Sequence, residues 1–160
     1  GTPTQADMAA LRSLFAQLNE IPGFPGIFPA DHEAENLPIR FMDPDAFFTT
    51  YSSQINGEDA YGAAQFWYYT DTNEIYSANV GYRMDVDQDT RLSVLVEEIV
   101  NMLGISDTTE RSDSIVYQYS NDNLQLSDVD WLILKLLYHP RIECGMDADQ
   151  CEAVIRELYY

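Results

Sequence analysis

The stretch RLSVLVEEIVNMLGISDTTERSDSIVYQYS, residues 91–120, decides how the rest of the chain is read. Leu92, Leu95, Val96, Ile99 and Leu103 recur at helical spacing and form one apolar face, which makes this helix a principal core contact. Glu97, Glu98 and Asn101 lie on the other side, but Val94 stands among them, so the second face is partly covered as well. Such a helix presents carboxylates to a place that is not open solvent. Gly104 then turns the chain into a polar loop, and the aromatic segment SIVYQY follows at residues 114–119.

Working outward, 160 residues with 46% hydrophobic and 12% aromatic content are enough for one domain, residues 1–160, with a real core. The balance of 27 acidic against 8 basic residues gives a net charge of -19, and Lys135 is the sole lysine. A surface of that sign repels phosphate backbones and anionic lipid, which argues against nucleic-acid partners. No apolar run approaches the roughly 18–20 residues of a membrane span, so insertion of this chain into a membrane is not expected. The start at Gly1-Thr2-Pro3, without an initiator Met, reads as a processed or an artificially made terminus, and the first of these leaves room for a targeting segment upstream. On that reading the chain is exported: periplasmic, extracellular or attached to a lipoprotein. Cys144 and Cys151 sit seven apart in ECGMDADQC, with Gly145 as a turn and Asp147 as a helix cap between them. In an exported chain this spacing favours a local disulfide over two free thiols.

Met8, Leu11, Leu14, Phe15 and Leu18 mark a first amphipathic helix, ended by Pro22-Gly23. A Pro/Gly-punctuated connection follows, with room for a short strand near Ile27-Phe28, then a strand over 37–42 and a helix from Asp43-Pro44 to about Ile55. AAQFWYYT and EIYSANVGYRMD read as two strands joined by a hairpin at Asp71-Thr72-Asn73. The central helix opens at Asp89 or Thr90; LSDVDWLILKLLYHP is a helix capped by Ser127 and stopped by Pro140, and MDADQCEAVIRELYY is the last. The order predicts an α+β fold: a small twisted sheet backed by helices, with a helical C-terminal subdomain.

EEIVNMLGISD, residues 97–107, aligns without a gap on the extended metzincin motif HExxHxxGxxH/D. Glu97 stands at the first histidine, Glu98 at the general base, Asn101 at the second histidine, Gly104 at the turn and Asp107 at the third ligand. SIVYQY resembles the Met-turn segment SIMxxY, with Val116 at the methionine position and Tyr117 after it, and LSDVDWLILKLLY resembles the helix start that follows that turn. The closest overall resemblance is to the bacterial family called domain of unknown function 2927, carried by EEIVNMLG, SIVY, LSDVD and YHPRIECGM. It covers residues 62–160 well and 1–61 loosely. Asn101 in place of Gln, His139 in place of Asp and Cys144 in place of Pro depart from the family pattern. The resemblance implies a zincin-like fold with a degenerate zinc motif and brings no established activity with it.

Zinc in a hydrolase site takes three nitrogen or oxygen ligands, with histidine favoured because neutral imidazole binds without adding charge. The chain has only His32, in an acidic loop, and His139, at a helix end. No cofactor is expected, zinc least of all; Glu97, Asn101 and Asp107 offer oxygens that suit Ca²⁺ or Mg²⁺ better, although a hydrogen-bonded polar network is the simpler use of them. DVDQD at 85–89 spaces its acids like an EF-hand loop, but Thr90 and Val96 stand where Gly and Glu are required, which leaves helix-capping acids. The rings of QFWYYT, with Tyr117 and Tyr119, are expected chiefly in the core and in cross-strand pairs. Two functions follow: a non-catalytic module that binds a peptide or protein in a former substrate cleft, or a hydrolase with an altered site centred on Glu98. Carbohydrate binding through exposed tyrosines is a third, from composition alone.

Overall fold

Polar caps and apolar periodicity set the elements. The computed structural model describes residues 1–31, 34–55, 60–105 and 108–159, and within them the order is α1 (Gln5–Leu18), β1 (Ile39–Met42), α2 (Pro44–Tyr51), β2 (Gly62–Tyr68), β3 (Ile75–Arg83), α3 (Gln88–Met102), α4 (Asp128–Leu137) and α5 (Ala148–Tyr159). Thr4, Asp43, Asp87 and Ser127 each turn a side-chain oxygen onto first-turn amides, which would otherwise have no intrahelical acceptor. The architecture is α+β, as the sequence predicts.

Three boundaries differ from expectation. Asp87, not Asp89 or Thr90, caps α3, because its carboxylate accepts from both the Asp89 and Thr90 amides, at 3.1 and 3.0 Å, and from the Thr90 hydroxyl at 2.7 Å. Helix α2 ends at Tyr51 rather than near Ile55. No strand forms at Ile27-Phe28: the Asn19 side chain accepts from the Ile27 amide at 2.8 Å and donates to its carbonyl at 3.0 Å, supplying both hydrogen bonds that a strand partner would give.

The three strands run in the order β1-β3-β2, with β1 parallel and β2 antiparallel to β3. Alternation sends Gly62 and Tyr82 toward α3, and Ala63 and Gly81 toward Phe47 and Tyr51 of α2. The sheet thus lies between two helices. On its α3 side Leu95 and Ile99 are completely buried, and the Tyr82 hydroxyl donates to the Leu95 carbonyl at 2.9 Å, fastening strand to helix. A buried ion pair, Arg91 to Asp7 at 3.1 Å, fastens α1 to the start of α3 with help from Gln88. Burial pushes the Asp7 carboxyl up, but the Thr4 amide, Gln88 and Arg91 outweigh it and hold the group below its ordinary value.

Helix α4 enters the main core through Leu134, whereas α5 buries no residue. Cys144 is exposed and Cys151 half-buried, and this structure holds both as free thiols. The turn between them is held by reciprocal bonds of Asp147 and Gln150, each 2.9 Å.

Candidate functional site

Helix α3 is covered almost all round. Among its last nine residues only Glu97, Glu98 and Asn101 keep partial contact with solvent, and all three look away from Leu95 and Ile99. Glu98 and Asn101 line a cleft of about 340 Å³ together with Gly62, Ala63, Ala64 and Phe66 of β2 and with Gln54 and Ile55. Gly62 is needed there. A Cβ at this position would meet Val94 Cγ1 at 2.4 Å and Glu98 Cγ at 2.8 Å, so only glycine lets the strand come this close to the helix.

Strand β2 is an edge of the sheet among the described residues. Its bonds to β3 run through the odd-numbered positions, since the Arg83 amide donates to the Tyr61 carbonyl at 2.9 Å and antiparallel pairs alternate from there. The amides and carbonyls of Gly62, Ala64 and Phe66 therefore face out of the sheet, into the cleft. The Asn101 side-chain amide donates to the Glu98 carboxyl at 3.4 Å.

Two carboxyls in succession, each hydrogen-bonded by a side-chain amide among the described residues, are poorly compensated. Burial pushes Glu98 from 4.5 up to about 8, the neighbouring Glu97 adds to the rise, and the Asn101 and Ala64 amides oppose it. Burial likewise pushes Glu97 up to about 7 against the pull of the Asn121 side-chain amide, which donates to it. The pair changes charge near neutrality, where ordinary glutamates have long been ionised.

The residues singled out in the sequence are thus partly assembled. Glu98 and Asn101 share the cleft, while Glu97 turns to Asn121, so Glu97 and Asn101 hydrogen-bond to different partners. Asp107 and His32 lie outside the described residues. Among the described residues no group of three or more His, Cys, Asp or Glu side chains is placed to hold a metal ion. Gly104 adopts φ +109° just after α3, the turn its position predicts. Val116 is buried in the core that α3 dominates, and Tyr117 is half-buried with its ring 5.5 Å from that of Tyr119. The whole 114–116 segment is clamped by Asp130, which accepts from the Ser114 hydroxyl at 2.6 Å and the Ile115 amide at 2.9 Å, and from the Ser127 amide at 2.8 Å, completing the capping box of α4.

A family model described as "Protein of unknown function (DUF2927)" matches residues 2–157. The chain belongs to this family. The match begins ahead of α1, so it includes residues 2–61 along with the α3 region. No curated protein and no solved structure matches the chain.

In this family member several other sequence features have plain structural uses. Asp85 pairs with Arg83 at 2.7 Å and Asp87 caps α3, so the DVDQD acids hold a strand-to-helix turn. His139 follows α4, where its Nδ1 accepts from the Arg141 amide at 3.2 Å. Phe66 packs on the core, but Trp67, Tyr68, Tyr69 and Tyr76 project from the hairpin; Tyr69 and Tyr76 pair across the strands at 4.6 Å outside the core, not within it. No described helix is long and apolar enough to cross a membrane. Sequence reasoning missed the strand side of the site: Gly62 was its one available signal, an isolated glycine at the head of a strand, and nothing local marked Asn121.

Proposed function

We propose that this chain is a zincin-like domain that has lost zinc chemistry and uses the cleft between β2 and α3 to hold an extended segment of a peptide or protein. The observation that supports this best is the outward-facing backbone of Gly62, Ala64 and Phe66 along a cleft bordered by α3, an arrangement suited to adding a strand. Glu97 and Asn101 stand where the metzincin motif has helical histidines. Each supplies oxygen rather than imidazole, and Glu97 adds a charge that the site already accommodates poorly. Without a Lewis acid, a base at Glu98 lacks the polarised water that zinc would provide. The protein purified without chelators is expected to contain less than stoichiometric zinc and to cleave no peptide in a zinc-dependent way. Elemental analysis together with a peptide-library digest tests this. One tightly held transition metal per chain, with hydrolysis abolished by Glu98→Gln, would overturn it.

A second reading is favoured by one observation: Glu98, raised to about 8, is poised to exchange a proton near neutral pH, as a general acid or base must. It makes the chain a hydrolase with an altered site. Ca²⁺ or Mg²⁺ held by Glu97, Asn101 and Asp107 belongs with this reading, and calorimetric titration with each ion tests it. Export of the chain remains tied to oxidation of Cys144 and Cys151 and is proposed only with it.

A further inference from the structure

Helix α2 covers only part of the sheet face that looks away from α3. Its apolar cluster, Phe47 and Tyr51 with Ala63, goes no further toward the hairpin than the row that Arg40, Gly81 and Ala63 form across β1, β3 and β2. Side chains alternate along a strand, so the same face continues in the row of Asn79 and Gln65 and then in that of Ser77 and Trp67, each row about 7 Å beyond the last. None of these four side chains belongs to either apolar core. Trp67 is 39% exposed, and Arg40 is exposed at the first row.

Hydrogen-bonding groups on this face lack partners. The Tyr51 ring lies across Gly81, its hydroxyl 2.9 Å from where a Cβ would stand, and neither that buried hydroxyl nor the buried Oδ1 of Asn79 has a partner among the described residues. Asn79 does reach across to Gln65, its Nδ2 donating to Gln65 Oε1 at 3.4 Å, which leaves the Gln65 amide nitrogen to donate elsewhere. Arg83, Arg91, Arg111, Arg141 and Arg156 each pair with a carboxylate, whereas Arg40, in a chain with 27 acids, has no carboxylate partner among the described residues. Buried polar atoms without partners are uncommon in native proteins, and bound water or a ligand commonly completes them. The set to be met here is mixed: an acceptor at Asn79, donors at Gln65 and Arg40, and at Tyr51 a hydroxyl that can be either. A ligand hydroxyl, which donates and accepts at once, answers all of them. A ligand that carries several hydroxyls, together with apolar C–H faces that suit an indole, is a saccharide. The net charge of -19 repels polyanionic glycans, so the saccharide is a neutral one.

We propose that the open face of the sheet beyond α2 is a binding site for a neutral saccharide, with Trp67 as the surface on which a sugar ring stacks, Gln65, Asn79 and Arg40 as partners of its hydroxyls, and the Tyr51 hydroxyl at the floor. The tyrosines that composition brings to mind are not the ones used, since Tyr69 and Tyr76 stack on each other at the hairpin. Glu98 lies against Gly62 on the opposite face, so the α3 cleft and its peptide take no part.

Titration of isotope-labelled protein with cellohexaose, chitohexaose and maltohexaose, followed by proton–nitrogen NMR, reads the Trp67 indole and the Gln65 and Asn79 side-chain amides directly. At least one of the three sugars is expected to shift these signals together and saturably at millimolar concentration, while the Asn101 side-chain amide across the sheet stays in place. Trp67→Ala should weaken that binding at least about tenfold and Trp67→Phe should recover part of it, whereas Arg40→Ala and Asn79→Ala should each weaken it about threefold to tenfold. Trp67 and Arg40 are exposed, so Trp67→Ala and Arg40→Ala should keep the wild-type unfolding midpoint, which separates loss of binding from loss of fold. No saturable shift with any of the three sugars, shifts confined to the Tyr69 and Tyr76 end of the hairpin or to the α3 cleft, or equal binding by wild type and Trp67→Ala overturns the proposal.

Discussion

Raising the pH should destabilise this protein, and Glu98→Gln should remove much of the effect. In the folded chain Glu98 releases its proton near 8 and Glu97 near 7, both far above the 4.5 of an unburied glutamate. Between those values the native state holds protons that the unfolded chain has already released, so stability falls as pH rises through the folded pKa values. It is fully present below the unfolded value. For one fully buried carboxyl the slope is about 1.4 kcal/mol per pH unit. Glu97 and Glu98 keep some solvent contact and each feels the other's charge, so we expect about 2–3 kcal/mol for the pair between about pH 5.5 and 8.5.

The overall charge of -19 also works against the folded state as pH rises, and a bare pH profile mixes the two effects. Glu98→Gln separates them. The amide is neutral at every pH and resembles the protonated acid, so the variant should match the wild type near pH 5.5 and exceed it by about 1–3 kcal/mol near pH 8.5. Urea unfolding followed by circular dichroism at five pH values gives both curves. Parallel curves, or an advantage of the variant that shrinks as pH rises, would refute the view that α3 buries a carboxyl at the cleft.

Asp130→Ala leaves the Ser127 cap in place but removes the carboxylate that completes the capping box of α4 at the Ser127 amide and accepts from the Ser114 hydroxyl and the Ile115 amide, and should cost about 2–4 kcal/mol by thermal unfolding, whereas Asp130→Asn should recover part of the loss. Gly62→Ala brings a Cβ within 2.4 Å of Val94 and should cost about 1–3 kcal/mol, with chemical-shift changes centred on residues 94–101; an unperturbed α3 would contradict the close strand-helix approach. Mass spectrometry without reduction should find free Cys144 and Cys151 in protein made under reducing conditions, as in the structure; a bridge in protein secreted from an oxidising compartment would support export.

Much of this fold was legible because its signals are local. Thr4, Asp43 and Ser127 cap the helices they precede, and the helical spacing of Leu95 and Ile99 identified the buried face of α3 before any strand was placed. The errors arose where two local solutions compete. Asp87, Asp89 and Thr90 are all capping residues, and only the simultaneous reach of Asp87 to two amides decides among them. The Asn19 bonds to Ile27 span eight residues, beyond what a strand pattern reports. The site divides in the same way. Glu98 and Asn101 were found from helix geometry, one turn of α3 carrying both into the cleft. Gly62 and Asn121 come to the same acids from a distant strand and a loop, and no spacing rule connects residue 62 to 98 or 121 to 97.

The electrostatics of α3 bear on whether Glu97 and Glu98 are relics. A buried carboxyl facing only amides is a poor contributor to stability, and apolar or amide replacements at such places are often neutral or favourable. Here two stand in succession, each raised by burial and one raised further by the other. Nothing in the packing requires them: Val94, Leu95, Ile99 and Val100 already join α3 to the core, and Arg91 with Asp7 already fastens its start. A side chain that costs stability and is not needed for packing has to be explained at the surface it meets, which for Glu98 is strand β2 at the cleft. There its charge has a use that does not depend on metal, because an ionised Glu98 beside β2 deters an extended chain from settling against the strand more than a protonated one does. Peptide affinity should therefore rise as pH falls from about 8.5 to 6 in the wild type and stay level in Glu98→Gln, the opposite sense to the loss of activity expected if Glu98 had to be ionised to act as a base.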